Sequence, residues 1–440
     1  MKHKLTAAAT LCGLALATTA CGGSGKSDST AKPGGQDLKG HTITVAAVWT
    51  GEEQQNFMKV LDAFSKKTGA KVQYMSTGDN NSTVVGSKVA GGDAPDVDMV
   101  PQVGVLQQFA QKGWLLPLSP TATGSASANY AKAWRDFGTV NNTYYGLYFK
   151  ASDKSTVWYD PKALDNAGVT PPSTYAQMLT DAKTVSDSGT AAFSIGGQDG
   201  WPLTDWFENI YLSQAGPDNY DKLAHHTIPW TDPTVVKALT TLAQLFGQDS
   251  LIAGGRTGAL HTDFPKSVQE VFGDSPKAAM TYEGDFVSGN ITDLKKKVGT
   301  DAKFFPFPSV DNGPKPVVGG GDAAVVLKAG KDSATAMRFV EFLATPEAAS
   351  VWAKAGGFLS PNKQVAPSAY TDPTLRQAAA SIVGAGDGVR FDMSDQTPAA
   401  FGGTQGTGEW KILQDFLRDP SNPTRTAAQL EAAAVKAYKG

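Results

Sequence analysis

Apolar positions recur along the chain in two alternating rhythms. In HTITVAAVW, Ile43, Val45, Ala47 and Trp49 fall on every second residue, the period of a strand. The next stretch, EEQQNFMKVLDAFSKKTG, places Phe57, Val60, Leu61 and Phe64 at helical spacing and halts at Gly69. KVQYM reads as a second strand, a short helix follows around Val84–Val89, and GGDAPDVDMVP turns into a third strand. VLQQFAQKG is helical again and closes at Gly113. Strands and helices alternating in this order build a parallel sheet through right-handed crossovers. Ligands of such sheets sit beyond the carboxyl ends of the strands, where Trp49 and the pair Pro101–Gln102 fall.

A second block opens near YGLYFKASDKSTVWYDPKALDNAG, where Asp160–Pro161 has the form of a helix start. PPSTYAQMLTDAKTV begins another helix, with Ser173 as the expected cap. The region 170–300 reads as mostly helical and is rich in aromatic residues. FFPFPSVDNGPKPVVGGGDAAVVL returns to strand character, and TPEAASVWAKAGG is a helix expected to be capped by Thr345 and Gly356. No repeat of solenoid period is present.

The first residues follow a different logic. Lys2 and Lys4 precede the run Leu5 to Ala17, which falls short of the roughly 20 residues a membrane-spanning helix needs. Small residues then lead to Cys21 in LALATTACGGSG. This is a secretory signal over residues 1–20, and a cysteine directly after the cleavage point marks a bacterial lipoprotein, although Thr18 stands where a leucine is usual. Lipidation of Cys21 would anchor the chain stably through two acyl chains. A secreted protein in which Cys21 is incidental is the alternative. Residues 21–37, polar and rich in Gly and Ser, are expected to form a disordered leash.

Removing the signal takes away two lysines and no acids, so the net charge moves from −3 to −5. A mildly acidic chain without a basic block is a poor partner for nucleic acid. Cys12 leaves with the signal and Cys21 is spoken for, so no internal disulfide is expected. The remaining body of about 400 residues is ample for two domains held by their cores alone.

Seven stretches now fall in a recognisable order: GDAPDVDMVPQVG, YGLYFKASDKSTVWYDPKAL, GWPLTDWFENIYLSQAGPDNYD, MTYEGDFVSGN, FFPFPSVDNGPKPVVGGGDAAVV, FLATPEAASVWAKAGGFLSPNK and VRFDMSDQTPAAFG. Together they make the chain resemble the extracellular solute-binding lipoproteins of carbohydrate ABC importers, within the superfamily that includes maltose-binding protein, and nearest to its alpha-glucoside-type group. The resemblance implies an α/β, two-lobe fold of the periplasmic-binding-protein-like type II, with a ligand cleft between lobes joined by hinge strands. It places lobe one at 38–152 plus 303–350 and lobe two at 153–302 plus 351–440. It further implies hinge closure over a sugar, delivery to the transmembrane subunits of an ABC permease, a monomeric state, no cofactor, and anchorage on the extracellular face of the cytoplasmic membrane.

A sugar presents hydroxyl groups and apolar C–H patches, so its pocket needs aromatic faces rimmed by carboxylates, amides or cationic donors. Most of the tryptophans read as core, Trp114 and Trp352 among them. Trp49 and Glu53 follow the first strand, where relatives carry polar sugar contacts; acids at a helix start also serve its dipole, which is the plainer reading of Glu52. Gln102 ends the third strand. Asp153 and Lys154 follow YGLYFK at a lobe crossing. Trp201, Asp205 and Trp206 cluster in GWPLTDWFENI, with Trp201 before the helix if Thr204 caps it. MTYEGDFVSGN resembles a stretch that carries a sugar-stacking aromatic, which maps onto Phe286 (Phe here instead of Trp), with Glu283 and Asp285 as hydroxyl acceptors. Gly319–Gly321 with Asp322 allows a close backbone approach to ligand. Arg390 is either a donor or the ion-pair partner of an acid such as Asp392.

Catalytic readings fare poorly. Glu283 and Asp285, two residues apart, do not form the opposed pair of a glycosidase. The histidines His41, His225, His226 and His261 lack zinc spacing, so no metal is expected, and no nucleophile elbow or phosphate loop is present. The expected function is capture of an extracellular oligosaccharide, an alpha-glucoside first, for import. Xylo-, cello- or chito-oligosaccharides are the alternative ligands, and a secreted polysaccharide-degrading enzyme is the alternative class.

Overall fold

The structure, a computed structural model, describes residues 37–385 and 390–439. The signal at 1–20, the lipidation site Cys21 and the leash up to residue 36 lie outside the described residues. The strands are β1 (Thr42–Ala47), β2 (Lys71–Ser76), β3 (Val97–Val100), β4 (Leu115–Leu116), β5 (Thr139–Val140), β6 (Thr143–Tyr144), β7 (Gly146–Asp153), β8 (Thr156–Tyr159), β9 (Ala191–Ser194), β10 (Ala278–Glu283), β11 (Lys303–Pro306), β12 (Val318–Leu327) and β13 (Arg390–Phe391). In the larger sheet, β1 runs parallel to both β2 and β3, as the alternating pattern requires, and β12 closes the far side antiparallel to β3 and β7. The smaller sheet has the order β11-β8-β10-β9.

Local chemistry sets the helix ends. The helix Gly51–Thr68 stops at Gly69, whose φ of +84° is left-handed, and it buries Phe57, Val60, Leu61 and Phe64. Asp160 accepts from the Lys162 N–H with Pro161 in the first turn, and Thr345 and Gly356 bracket the helix Pro346–Ala355. The cap expected at Ser173 is one residue on: Thr174 accepts from the Gln177 N–H. Thr204 is no cap either. The helix Trp201–Ala215 begins at Trp201 after Gly200, which takes a φ of +91°, and the Thr204 hydroxyl turns inward to donate to the Trp201 carbonyl.

Each sheet has its own core. The first core gathers residues from Ile43 to Ala151, resumes at Ala323–Leu327 and continues through Phe339, Trp352, Phe358 and Ile382. The second runs from Val157 to Val318 and takes in Met393, Phe401, Leu413, Phe416 and Leu430; a satellite holds Trp158, Phe264, Val268, Phe286 and Ile291. Two expected boundaries need correction. Residues 303–318 pack with the second core, because β11 pairs with β8 in register Lys303↔Tyr159 and buries Phe305 and Phe307 there. Residues 351–382 pack with the first, because Trp352 stacks on Phe358 and meets Trp49 edge-on with centroids 4.8 Å apart.

The chain therefore passes between the cores at the β7–β8 junction, within β12, and around Phe391–Phe401. Gly319–Gly321 lie in the second of these passages. The close approach they permit is to the protein itself: a Cβ on Gly321 would stand 2.4 Å from the Lys150 carbonyl, and one on Gly320 would stand 3.0 Å from the Lys154 side chain. Backbone cannot give way as a flexible side chain can. Gly321→Ala should therefore destabilise the fold by about 1–3 kcal/mol, read as a lower urea midpoint; an unchanged midpoint would show that β7 and β12 separate without strain.

Candidate functional site

A cavity of about 370 Å³ lies where the strand ends of the first lobe face the second. Trp49 and Glu53 reach it from the end of β1 and the helix after it, Asp79 from the turn after β2, and Gln102 from the end of β3. Trp201, Phe264, Phe286 and Trp410 supply aromatic surface from the other side. β7 and β12 provide the floor through Lys150, Ser152, Gly321 and Asp322.

Lys150 is the floor's first fixed charge. It stands opposite Asp322 in the ladder and donates to Glu53 Oε1 at 2.6 Å. Its ammonium lies 5.7 Å from the Trp49 ring, 5.3 Å from Phe286 and 5.7 Å from Trp352, a cage of ring faces suited to a cation. Burial pulls its pKa down, but Glu53 and Asp322 outweigh this and hold it above the ordinary lysine value. Asp322 is pushed up to about 6 by burial, with Lys150 opposing.

Lys154, just past the end of β7, is the second. Its ammonium is bound to the Asp392 carboxylate and lies 3.5 Å from both Asp205 and Asp395. It also lies 5.5 Å over the Trp201 ring. Burial works against this charge, and the three carboxylates outweigh it, holding the Lys154 pKa well above normal. Burial pushes Asp392 up, yet Lys154 and the hydrogen bonds around it prevail and leave it ionised well below the usual carboxylate range. The surrounding acids go the other way: burial pushes Asp205 and Glu208 far up, and Asp395 and Glu283 to about 8.

The family model for bacterial extracellular solute-binding proteins matches residues 49–350. The chain belongs to this family. The alpha-glucosides-binding periplasmic protein AglE of Rhizobium meliloti is 32% identical over 92% of this chain and 88% of that protein. The osmoprotective compounds-binding protein GgtB of Synechocystis sp. is 31% identical over 87% and 90%. Among solved structures, the bacterial solute receptor AcbH, described as preferring β-D-galactopyranose, has a TM-score of 0.78 at 20% identity, covering 91% of this chain and 99% of that one. The two-lobe fold expected from the sequence is thereby shown, and so is the class of function, that of a bacterial extracellular solute-binding protein.

Of the residues singled out in the sequence, this solute-binding protein brings Trp49, Glu53, Gln102, Lys154, Trp201, Phe286 and Asp322 to one cavity. Six others lie elsewhere. Trp206 is core, 4.5 Å from the Tyr282 ring and edge-on to Phe193. Asp205 is fully buried against Lys154. Asp153 and Asp285 join the two lobes by backbone bonds: the Asp153 N–H donates to Asp285 Oδ1 at 2.7 Å and the Asp285 N–H to the Asp153 carbonyl at 3.0 Å. Glu283 is buried at the end of β10, its Oε2 accepting from the Gly284 N–H at 3.3 Å. Arg390 pairs with Asp221 at 2.8 Å, while Asp392 belongs to Lys154.

Cavity residues not anticipated include Lys150, Asp79, Asp199, Asp263, Phe264, Asp395 and Trp410. Asp79 follows the end of β2, so the rule that flagged Trp49 and Gln102 reaches it too. Asp205, Glu208 and Asp392 each bring a carboxylate oxygen within 4.8 Å of the others. Donors already occupy two of the three: Glu208 accepts from the Tyr220 hydroxyl and from the Met393 and Ser394 N–H groups, and Asp392 from Lys154, the Ser394 hydroxyl and the Asp395 N–H. This donor set suits carboxylates bound to N–H and O–H groups rather than a cation.

Replacing Lys154 with Met should destabilise the fold by about 3–5 kcal/mol, because Asp392 would keep its burial and lose its counter-charge. A denaturant midpoint equal to wild type would refute that role. A separate effect concerns Asp98, at the centre of β3, whose Oδ1 accepts from Asn81 at 2.8 Å and whose pKa burial pushes up to about 7. The fold favours its protonated form. That stability is complete below the unfolded value of about 3.9 and is lost as pH rises through about 7. The wild-type midpoint should therefore fall from about pH 5 to about pH 8, and that of Asp98→Asn should fall less; equal slopes would place the titration elsewhere.

Proposed function

We propose that this protein captures an extracellular oligosaccharide, with α-glucosides first, and delivers it to the transmembrane subunits of an ABC permease. The observation that carries this reading is the cavity between the lobes, where aromatic rings and carboxylates converge on one space. Carboxylates accept from sugar hydroxyls while ring faces cover C–H patches, and fixed groups on both lobes favour a closed, loaded form. The α-glucoside preference draws on the relative AglE, named for alpha-glucosides.

In this reading Trp49, Glu53, Gln102, Lys154, Trp201, Phe286 and Asp322 contact the sugar, joined by Lys150. The lobes rotate about the three passages between the cores. The protein works as a monomer, without cofactor, on the extracellular face of the cytoplasmic membrane, held there by lipid on Cys21 at the end of the leash.

Calorimetric titration of the purified chain with maltose, trehalose, sucrose, xylobiose, cellobiose and chitobiose tests this. Saturable one-to-one heat with an α-glucoside, and no product on chromatography afterwards, is the expected result. Heat only with a β-linked sugar would move the ligand class, and slow product formation would overturn the binding role.

A further inference from the structure

The cleft's charge is lopsided. Eight carboxylates line it, from Glu52 to Asp395, against the two ammonium groups of Lys150 and Lys154. Both ammonium groups already hold carboxylates of the protein, Glu53 in one case and Asp392 in the other. No other lysine or arginine is among the lining residues, so beyond Glu53 and Asp322 beside Lys150, and Asp395, which is favoured in protonated form beside Lys154, the acids of the wall face a ligand with no cation among the lining residues.

That excess gathers at one place. Asp79 comes from the first lobe, and Asp199 and Asp263 from the second. They are near enough that Asp79 and Asp263 both raise the pKa of Asp199, after burial, which pushes it to about 6. Hydrogen bonds fix two of the three: Asp199 accepts from the Phe264 N–H at 2.7 Å and Asp263 from the Lys266 N–H at 2.8 Å. The rings of Trp201 and Phe264, 5.3 Å apart, belong to the same wall. Beside it, packed on Gly200, Trp410 also lines the cavity; it is 4% exposed and its indole N–H is buried without a partner. A buried donor left unpaired costs stability unless something accepts from it, and this one belongs to a residue of the cavity wall.

We propose that the cleft selects its saccharide by charge, accepting neutral sugars, preferring those that carry a protonated amine against the Asp79–Asp199–Asp263 wall, and refusing those that carry phosphate or carboxylate. The proposal rests on the sugar-capture reading of the same site. An ammonium group there gains charge-assisted hydrogen bonds to carboxylates already held in position. An anionic group must give up water to face these carboxylates.

The test titrates the purified chain with maltose and trehalose, each as parent sugar, as the 6-amino-6-deoxy analogue and as the 6-phosphate. The amine should bind about tenfold tighter than its parent and the phosphate at least about tenfold weaker. Both gaps should narrow between about 0.01 M and about 1 M salt. Equal affinities for parent, amine and phosphate would overturn charge selection and leave sugar capture standing. Binding of an amine without its parent would uphold charge selection and overturn the neutral α-glucoside reading. Silence from all six would overturn both. Asp199→Asn should shrink the amine-to-parent ratio, and a ratio unchanged in a variant with a wild-type melting curve would place the selectivity elsewhere.

Discussion

One buried ammonium group organises the junction between the lobes. Lys154 follows β7, at the first passage between the cores, and holds Asp392 and Asp395 from the third and Asp205 from the helix Trp201–Ala215. The second passage runs beside it, since a Cβ on Gly320 would touch its side chain. Carboxylates gathered out of water repel one another and lose hydration, and only a counter-charge within contact distance offsets this. Asp392 remains ionised because Lys154 is there, and Asp205 and Asp395, sharing the same cation, are favoured in protonated form. A set of acids that would otherwise push the passages apart becomes a set of hydrogen bonds holding them together.

Fixing the floor in this way settles what the rest of the cleft can do. Lys150 spends its charge on Glu53 among three ring faces, so the floor is rigid and close to neutral. The rim is where the lobes can adjust to a ligand. There the Asp293 carboxylate, on the helix Val287–Asp293, accepts from the Glu52 N–H at 3.0 Å, at the start of a helix whose own Thr50 makes no cap. One lobe thus finishes the helix start of the other, an arrangement stable only while the two are close.

How far the sequence revealed this depends on range. The strand and helix rhythms of residues 42–113 emerged as read because each element's buried face is written in its own residues. Caps failed by one or a few positions where two candidates stood together, as with Ser173 and Thr174, and where a tight glycine turn replaced a side-chain cap, as at Gly200. Lobe membership of 303–318 and 351–382 was not legible, since it is decided by pairing with β8 and by Trp352 reaching Trp49, both distant in sequence. At the cavity, the strand ends bring Trp49 and Gln102 to the wall. Trp206 and Asp205 misled for a definite reason: their helix is buried from Pro202 to Ser213, so no face of it is written as solvent or ligand side.

The same contrast explains why acids were easier to place near the cleft than to assign. A carboxylate in this fold has two settings, bound at a joint where the chain crosses between the lobes, or held at the cavity wall where a ligand would sit. Asp153, Asp285 and Asp392 take the first: the Asp153 carboxylate accepts from the Ser155 N–H at 3.1 Å, that of Asp285 from the Asp153 N–H at 2.7 Å, and that of Asp392 from Lys154. Asp79, Asp199 and Asp263 take the second. Sequence spacing does not separate the two settings, because both put an acid at an element's end. What separates them is whether the acid lies where the chain crosses between the lobes or on the cavity wall, so the division of labour between joint and binding wall is a property of how the lobes meet.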